Sequence, residues 1–463
     1  MSFFIPSNRE RGKLKRKSNG PAGNSKNFTS KGKNKGGKYS KHDDDESIAS
    51  SDEEFAEQKR RGKLEELSDE SEEETAQEKR IRLQKKYLEE IEEEEKDREE
   101  FEKGAIATRL REEYLEEKGR LRKVVASSYT GHGEPIILRY KQHRESITCL
   151  CVSGDGKFLY SGSKDGTIVK WALSDRSKVK ILKGKRKKDD KGIKSVSCMT
   201  VSTDDQFLVV GDKASKNVMV FSAADLTHKK DLQGHRAPIS GVVFRKNTHT
   251  LYSASEDRSV KVWNLDDMAY VESLFGHQNA ITSIDALSRE RAITSGGHDG
   301  SIRIWKIVEE SQLIFNGHGG SIDAVKLINE ENFLSGGDDG QLSVWGALKK
   351  KPLCSVTEAH GKNPENGLPN WISSIATLLN TDLVASGSGN GVVRLWQCGD
   401  SFRSLNPLFD VEVKGFINSL VFTPDGNYLI AGVGKEHRLG RWWHLTEPKN
   451  SIVLIPLIHN KSK

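Results

Sequence analysis

The sequence predicts an all-β fold, a ring of seven four-stranded sheets (a seven-bladed β-propeller), preceded by a disordered charged arm and one or two α-helices. Three observations carry that prediction. Gly-His or a close equivalent recurs at His143, Gly234-His235, Gly276-His277, Gly317-His318 and Ala359-His360, with steps of 42, 41 and 42 residues across the last three intervals. A period of that size marks a stacked repeat architecture. Aromatic strand ends follow in phase at Trp171, Phe221, Trp263, Trp305, Trp345, Trp396 and Trp443. Acidic turns precede most of them, at Lys164-Asp165-Gly166, Glu256-Asp257-Arg258, His298-Asp299-Gly300 and Asp338-Asp339-Gly340.

Each unit reads as four short alternating strands with turn residues between them. In the third unit these are Ile239 to Phe244, Leu251 to Ala254, Val260 to Trp263 and Tyr270 to Leu274. Asp-Gly between the second and third strands supplies a tight hairpin turn. The step of 92 residues from His143 to His235 fits two units with an insertion, and the seventh unit runs from about Phe416 to Trp443. The ring is expected over residues 134–458. Its closing outer strand has two candidates, 135–140 (PIILRY) and 451–456 (SIVLIP), between which the sequence does not choose.

Residues 1–74 lack the apolar content that would offset ordering entropy and are expected to be disordered. Between Arg9 and Lys41 lie twelve Lys or Arg and one acid, Glu10, whereas acids dominate from Asp43 to Glu78. A basic arm of this kind attracts nucleic acid or an import receptor. The compact cluster Arg11, Lys13, Lys15, Arg16 and Lys17 is the nuclear-localisation candidate. Ser51, Ser68 and Ser71 sit in acidic runs and are candidates for phosphorylation. A charged helical segment is expected over residues 75–126. Thr75 with Glu78 resembles a capping box, and Ile81, Tyr87, Leu88 and Ile91 form a narrow apolar stripe. A second helix is expected from Ala105 to Val125, with Ile106, Leu110, Tyr114, Leu115 and Leu121 on one side. Stripes this narrow build no core alone, so they dock on the ring or on a partner.

Ser253, His235 and Asp257 recur as Ser295, His277 and Asp299, and again as Ser335, His318 and Asp339. A nucleophilic triad is built once, whereas a hydrogen-bonded brace is needed in every sheet, so the repetition points to structure rather than catalysis. No catalytic residue is assigned and an enzyme is not expected. Cys149, Cys151, Cys198, Cys354 and Cys398 give an odd count without a Cys-x-x-Cys pair, which argues against a zinc site or a disulfide framework. They are read as small core residues. No metal, cofactor or small-molecule substrate is expected, and no run of about 18 apolar residues is present to span a membrane.

The Gly-His, Asp-turn and Trp pattern resembles the WD-repeat family, with one departure. None of the strand-ending Trp is followed by Asp: the pairs are Trp263-Asn264, Trp305-Lys306, Trp345-Gly346 and Trp396-Gln397. Four stretches are similar to one branch of that family, the WD-repeat subunits of the U3 small nucleolar ribonucleoprotein. They are 74–80 (ETAQEKR), 273–280 (SLFGHQNA), 371–388 (WISSIATLLNTDLVASGS) and 434–443 (GKEHRLGRWW), within a likeness that spans residues 74–458. The resemblance implies a nucleolar, RNA-associated scaffold. Its implied partners are U3 small nucleolar RNA at the box B/C element, the kink-turn-binding protein with other box C/D particle proteins, and components of the small-subunit processome. Its implied role is pre-rRNA processing toward the small ribosomal subunit. Salt-sensitive phosphate contact would fall to basic edges of the ring. The first candidate patch is Lys435, His437, Arg438 and Arg441, beside Trp442 and Trp443, of which strand alternation expects at least one in the core. The second is Lys185, Arg186, Lys187 and Lys188 in the insertion of the second unit. Rival readings are a chromatin-binding or ubiquitin-ligase adaptor propeller. The Trp-Asp-x-Arg sequence or F-box typical of the latter is not visible.

Overall fold

The computed structural model describes residues 80, 82, 85, 86, 105–139, 141, 143–184, 192–364, 366–441 and 443–459. The nuclear-localisation cluster, the three acidic-run serines and Lys185 to Lys188 lie outside the described residues. Of the first expected helix, Arg80, Arg82, Lys85 and Lys86 are helical.

Residues 147 onward form seven antiparallel sheets in chain order, the blades of a propeller. In blade three the strands are Ile239–Phe244, Thr250–Ser255, Ser259–Asn264 and Ala269–Phe275, one residue at most beyond each predicted limit. Seven apolar clusters hold the ring, one between each pair of neighbouring blades, and the last joins blade seven to blade one through Ile430, Leu454, Ile147 and Leu159. Hydroxyls at the inner strands add cross-blade bonds: Thr148 Oγ1 donates to Val196 O at 2.9 Å, and Ser373 Oγ donates to Ile417 O at 2.6 Å. Burial of these alternating faces is the dominant favourable contribution, because each sheet is apolar on both sides.

The two candidate closing segments do not compete. Ser451–His459 is the third strand of blade seven, paired with Tyr428–Gly434, and on its other edge it receives Tyr129–His132 and Ile136–Leu138. The start of the ring thus supplies the outer strand of its last blade. The seventh unit also runs on to His459, beyond Trp443. Trp443 is not a strand residue: it lies in the loop 435–450 and is 39% exposed. Strand alternation therefore does not apply to it.

A buried brace repeats around the ring. In blade three, His235 Nδ1 meets Asp257 at 2.9 Å, His235 Nε2 meets Ser253 Oγ at 2.8 Å, and Trp263 Nε1 donates to the same hydroxyl at 2.8 Å. Blade five repeats it with His318, Asp339, Ser335 and Trp345. Blade four departs from the expectation: His277 and Trp305 meet Thr294, not Ser295. The turn before the third strand is one residue longer there, with Ser295 opposite Ile302, whereas Ala254 faces Val260 and Gly336 faces Leu342. The inward hydroxyl is therefore one position earlier. Burial pushes the Asp257 carboxyl up, but hydrogen bonds from His235, Ser259 and the Arg236 amide outweigh it and hold the group below the usual carboxylate range. Blades one and six keep the His–Ser–Trp part, as His143–Ser161–Trp171 and His360–Ser386–Trp396. Blade two has Phe221 for Trp and Val210 at the hydroxyl register.

The second expected helix is shorter than predicted, Ala105–Glu117. It ends in a Schellman motif: Gly119 N donates to Glu116 O and Arg120 N to Leu115 O, with Gly119 at φ +64°. Residues 120–128 then run as a strap along blades five and six and end in a single 3-10 turn, Ala126–Ser128. Leu121 is buried, Arg122 donates to Cys398 O at 2.8 Å and sits over the Phe402 ring, and Lys123 N donates to Asn380 O. Asp382 Oδ1 accepts from both Val125 N and Ala126 N, at 2.7 and 2.9 Å. Ala126 is fully buried in the cluster between blades six and seven. The apolar residue read as part of a helical stripe, Leu121, docks on the ring from the strap instead.

Candidate nucleic-acid interface

In blade seven the connection from the second to the third strand is the loop 435–450, which crosses toward the axis of the ring. Blade seven's Asn418 accepts from Arg438 N at 2.8 Å, and its Nδ2 donates to Glu436 O. From blade one, Lys164 Nζ donates to His437 O at 2.5 Å and Gly440 O at 3.1 Å; from blade two, Lys213 Nζ donates to Leu439 O at 3.2 Å. In blade five, Asp323 O accepts from Arg438 Nη2 at 2.5 Å. In blade six, the Trp371 ring stacks on His437 at 4.1 Å between centroids, and its indole N–H donates to the Asp323 carboxylate. Five blades hold one loop.

These contacts divide the first candidate patch. His437 is buried, and burial with Arg438 and Lys164 nearby pulls its imidazole down to about 3, so it carries no charge at neutral pH. Arg438 points inward along the axis, where burial lowers its guanidinium from the usual value although Asp323 pulls the other way. The Asp323 carboxyl is pushed up by burial to about 6. Arg441 faces outward. Arg441 is 63% exposed and pairs with Glu145 and, at 3.4 Å, with Glu436. Lys435 is half-buried, its amide bonded to Asn450. Of the second patch's surroundings, Lys183 is exposed at the end of blade one's outer strand, Lys178–Leu182.

Two surfaces meet at this loop. Toward blades one to three the axial mouth is lined by four cations, Lys164, Lys213, Arg438 and Arg441, against two acids, Glu145 and Glu256. Toward blades six and seven it is aromatic: Trp371, Phe416 and Trp443 surround His437 in a narrow slot. Lys164, Lys213, Trp371 and Asp323 were not legible as site residues, because they come from four different repeats and share no local motif. The loop itself left one signal, the stretch from Gly434 to Ser451 without strand alternation. Among the described residues no group of three or more His, Cys, Asp or Glu is placed to hold a metal ion. The five cysteines are unpaired, and burial pushes the thiols of Cys149, Cys198 and Cys398 up to about 12. No described helix is long and apolar enough to cross a membrane.

The WD40 family (WD domain, G-beta repeat) matches residues 127–172, 226–264, 269–306, 309–346 and 362–397. The first three strands of blade two and the three inner strands of blade seven fall outside those matches, and these are the two blades without a His–hydroxyl–Trp brace. The chain is 49% identical over 392 residues to U3 small nucleolar RNA-interacting protein 2 of Homo sapiens, covering 83% of this chain and 82% of that protein. It is 33% identical to a U3 snoRNP-associated protein-like protein of Arabidopsis thaliana, covering 90% of this chain and 92% of the other. The solved structure of U3-55K superposes with a TM-score of 0.67 at 49% identity, over 72% of this chain and all of that one. With this identity over most of both chains and the propeller in common, the chain belongs to the U3 small nucleolar RNA-interacting protein family of WD-repeat propellers.

Proposed function

We propose that this protein is a non-catalytic scaffold subunit of the U3 small nucleolar ribonucleoprotein. In this reading it binds U3 small nucleolar RNA in the box B/C region and acts in the nucleolus in pre-rRNA processing. The observation that carries the reading is its 49% identity to a relative whose name states an interaction with that RNA. The basic axial mouth supports it, since Arg441 at its rim is exposed to meet a phosphate while Lys164, Lys213 and Arg438 add positive charge behind it. A rigid ring that presents loops at fixed positions suits structured RNA, which is recognised largely by shape. The kink-turn-binding protein, other box C/D particle proteins and small-subunit processome components are the partners this role requires. Lys185 to Lys188 remain a proposed secondary contact, and Arg11 to Lys17 the proposed import signal.

Crosslinking of RNA to the protein in cells, followed by mapping of the RNA, tests the reading. Enrichment of one small nucleolar RNA is the expected result. Recovery of histones or of a ubiquitin-ligase core without that RNA would replace it with an adaptor role.

A further inference from the structure

Trp443 is an unusual residue to leave at a surface. It is 39% exposed on a loop that is otherwise tied down by five blades, and nothing in the strand pattern of the ring requires an indole there. It makes a T-shaped contact with the buried Phe416 ring at 5.2 Å, and Phe416 in turn lies against His437, which stacks on Trp371. The indole is therefore held on one side before anything lands on it, which lowers the entropy cost of ordering it. Arg441, two residues earlier, is exposed and carries one of the four cations of the adjoining mouth.

An exposed, rigid aromatic ring beside a cationic rim is the arrangement that holds single-stranded nucleic acid, with a base on the ring and its flanking phosphates on the cations. We propose that Trp443 stacks an unpaired RNA base while Arg441 and Lys435 receive the neighbouring phosphates. The inference rests on the reading that this chain binds RNA, and it names the kind of RNA and the contacting group. Double-stranded RNA offers no splayed base, so the shelf selects a single-stranded or bulged segment. The pairing of Arg441 with Glu145 and Glu436 keeps the cation in place beside the loop without burying it.

The test uses the full chain and a single-stranded RNA of roughly 12 nucleotides, within the usual span of one single-strand site, alongside the same sequence as a duplex. Binding is measured at roughly 50 and 200 mM salt, by anisotropy and by quenching of tryptophan fluorescence. W443A should weaken single-strand binding about tenfold with an unchanged salt slope, and W443F should restore most of it. R441E should instead lower the slope. Quenching by RNA should be smaller in W443F than in the wild type, because the stacked indole is gone. Wild-type binding of the RNA with W443A unchanged, or an equal loss in W443A and W443F, would overturn the stacking role while leaving RNA binding intact. No binding of the single strand by the wild type would overturn the stacking role, whereas the crosslinking experiment above tests RNA binding itself. Thermal unfolding of each variant separates loss of contact from loss of fold.

Discussion

A histidine, a hydroxyl and a tryptophan indole meet in five blades, and the positions that break the pattern say what sets it. Thr294 takes the place expected of Ser295 because the register of the hairpin, not the spelling of the motif, aims the hydroxyl. T294V should leave both the His277 and the Trp305 nitrogens without their partner, at about 1–3 kcal/mol for each buried group. S295A should cost much less, since its partner Thr282 also donates to Ile322 O. Thermal unfolding of the two variants decides between the registers. The buried histidines also set an acid limit. Burial pulls His143 and His360 down to about 4 and His437 to about 3. Their folded values lie below the unfolded value of 6.5, so their contribution is intact above that pH. It is lost as pH falls toward 4, because the unfolded chain takes up protons that the fold refuses. Each is worth on the order of a few kcal/mol across that window. Asp323 works in the opposite sense between about 6 and 3.8, where the folded chain holds the extra proton. The melting temperature should therefore drop from pH 6.5 to 4, and H360Q should make that slope shallower.

Among the elements, the strap and the closing strand are the ones that joined distant parts of the chain. Gly119 ends the helix and lets the chain pass close to Glu330, and Asp382 then pins Val125 and Ala126. D382A should release the strap, with a loss of about 1–3 kcal/mol and faster proteolysis within residues 118–128. D382N, which keeps one acceptor oxygen, should retain part of the protection. Removal of residues 129–138 strips the outer strands from Ser451–His459 and exposes a long apolar edge. Such a chain should aggregate or melt well below the intact one, as read by light scattering on heating. Blade three was legible almost to the residue because its hairpin turns and alternation agree locally. The helix end was not, since the stripe through Leu121 continues at helical spacing past the glycine that stops the helix.

At the scale of the whole molecule, the charges that matter come together only when the ring closes. Association with RNA should fall steeply with salt, and reversing Lys435 and Arg441 together should flatten that dependence, whereas R438E should act mainly by loosening the fold. Log–log plots of affinity against salt, with melting curves of the same variants, separate the two effects. Composition, a period of 42 residues and the Gly-His, Asp-turn and Trp marks determined by themselves that the chain is a charged arm followed by a seven-bladed ring. These features are local, and each repeat states them again. Which strand closes the ring, which cations face solvent and where Trp443 sits were decided only by tertiary structure. The physical reason is that the loop 435–450 belongs to no repeat. Its path is fixed by Lys164, Lys213, Asp323, Trp371 and Asn418, residues as much as 254 positions apart that meet only around the axis.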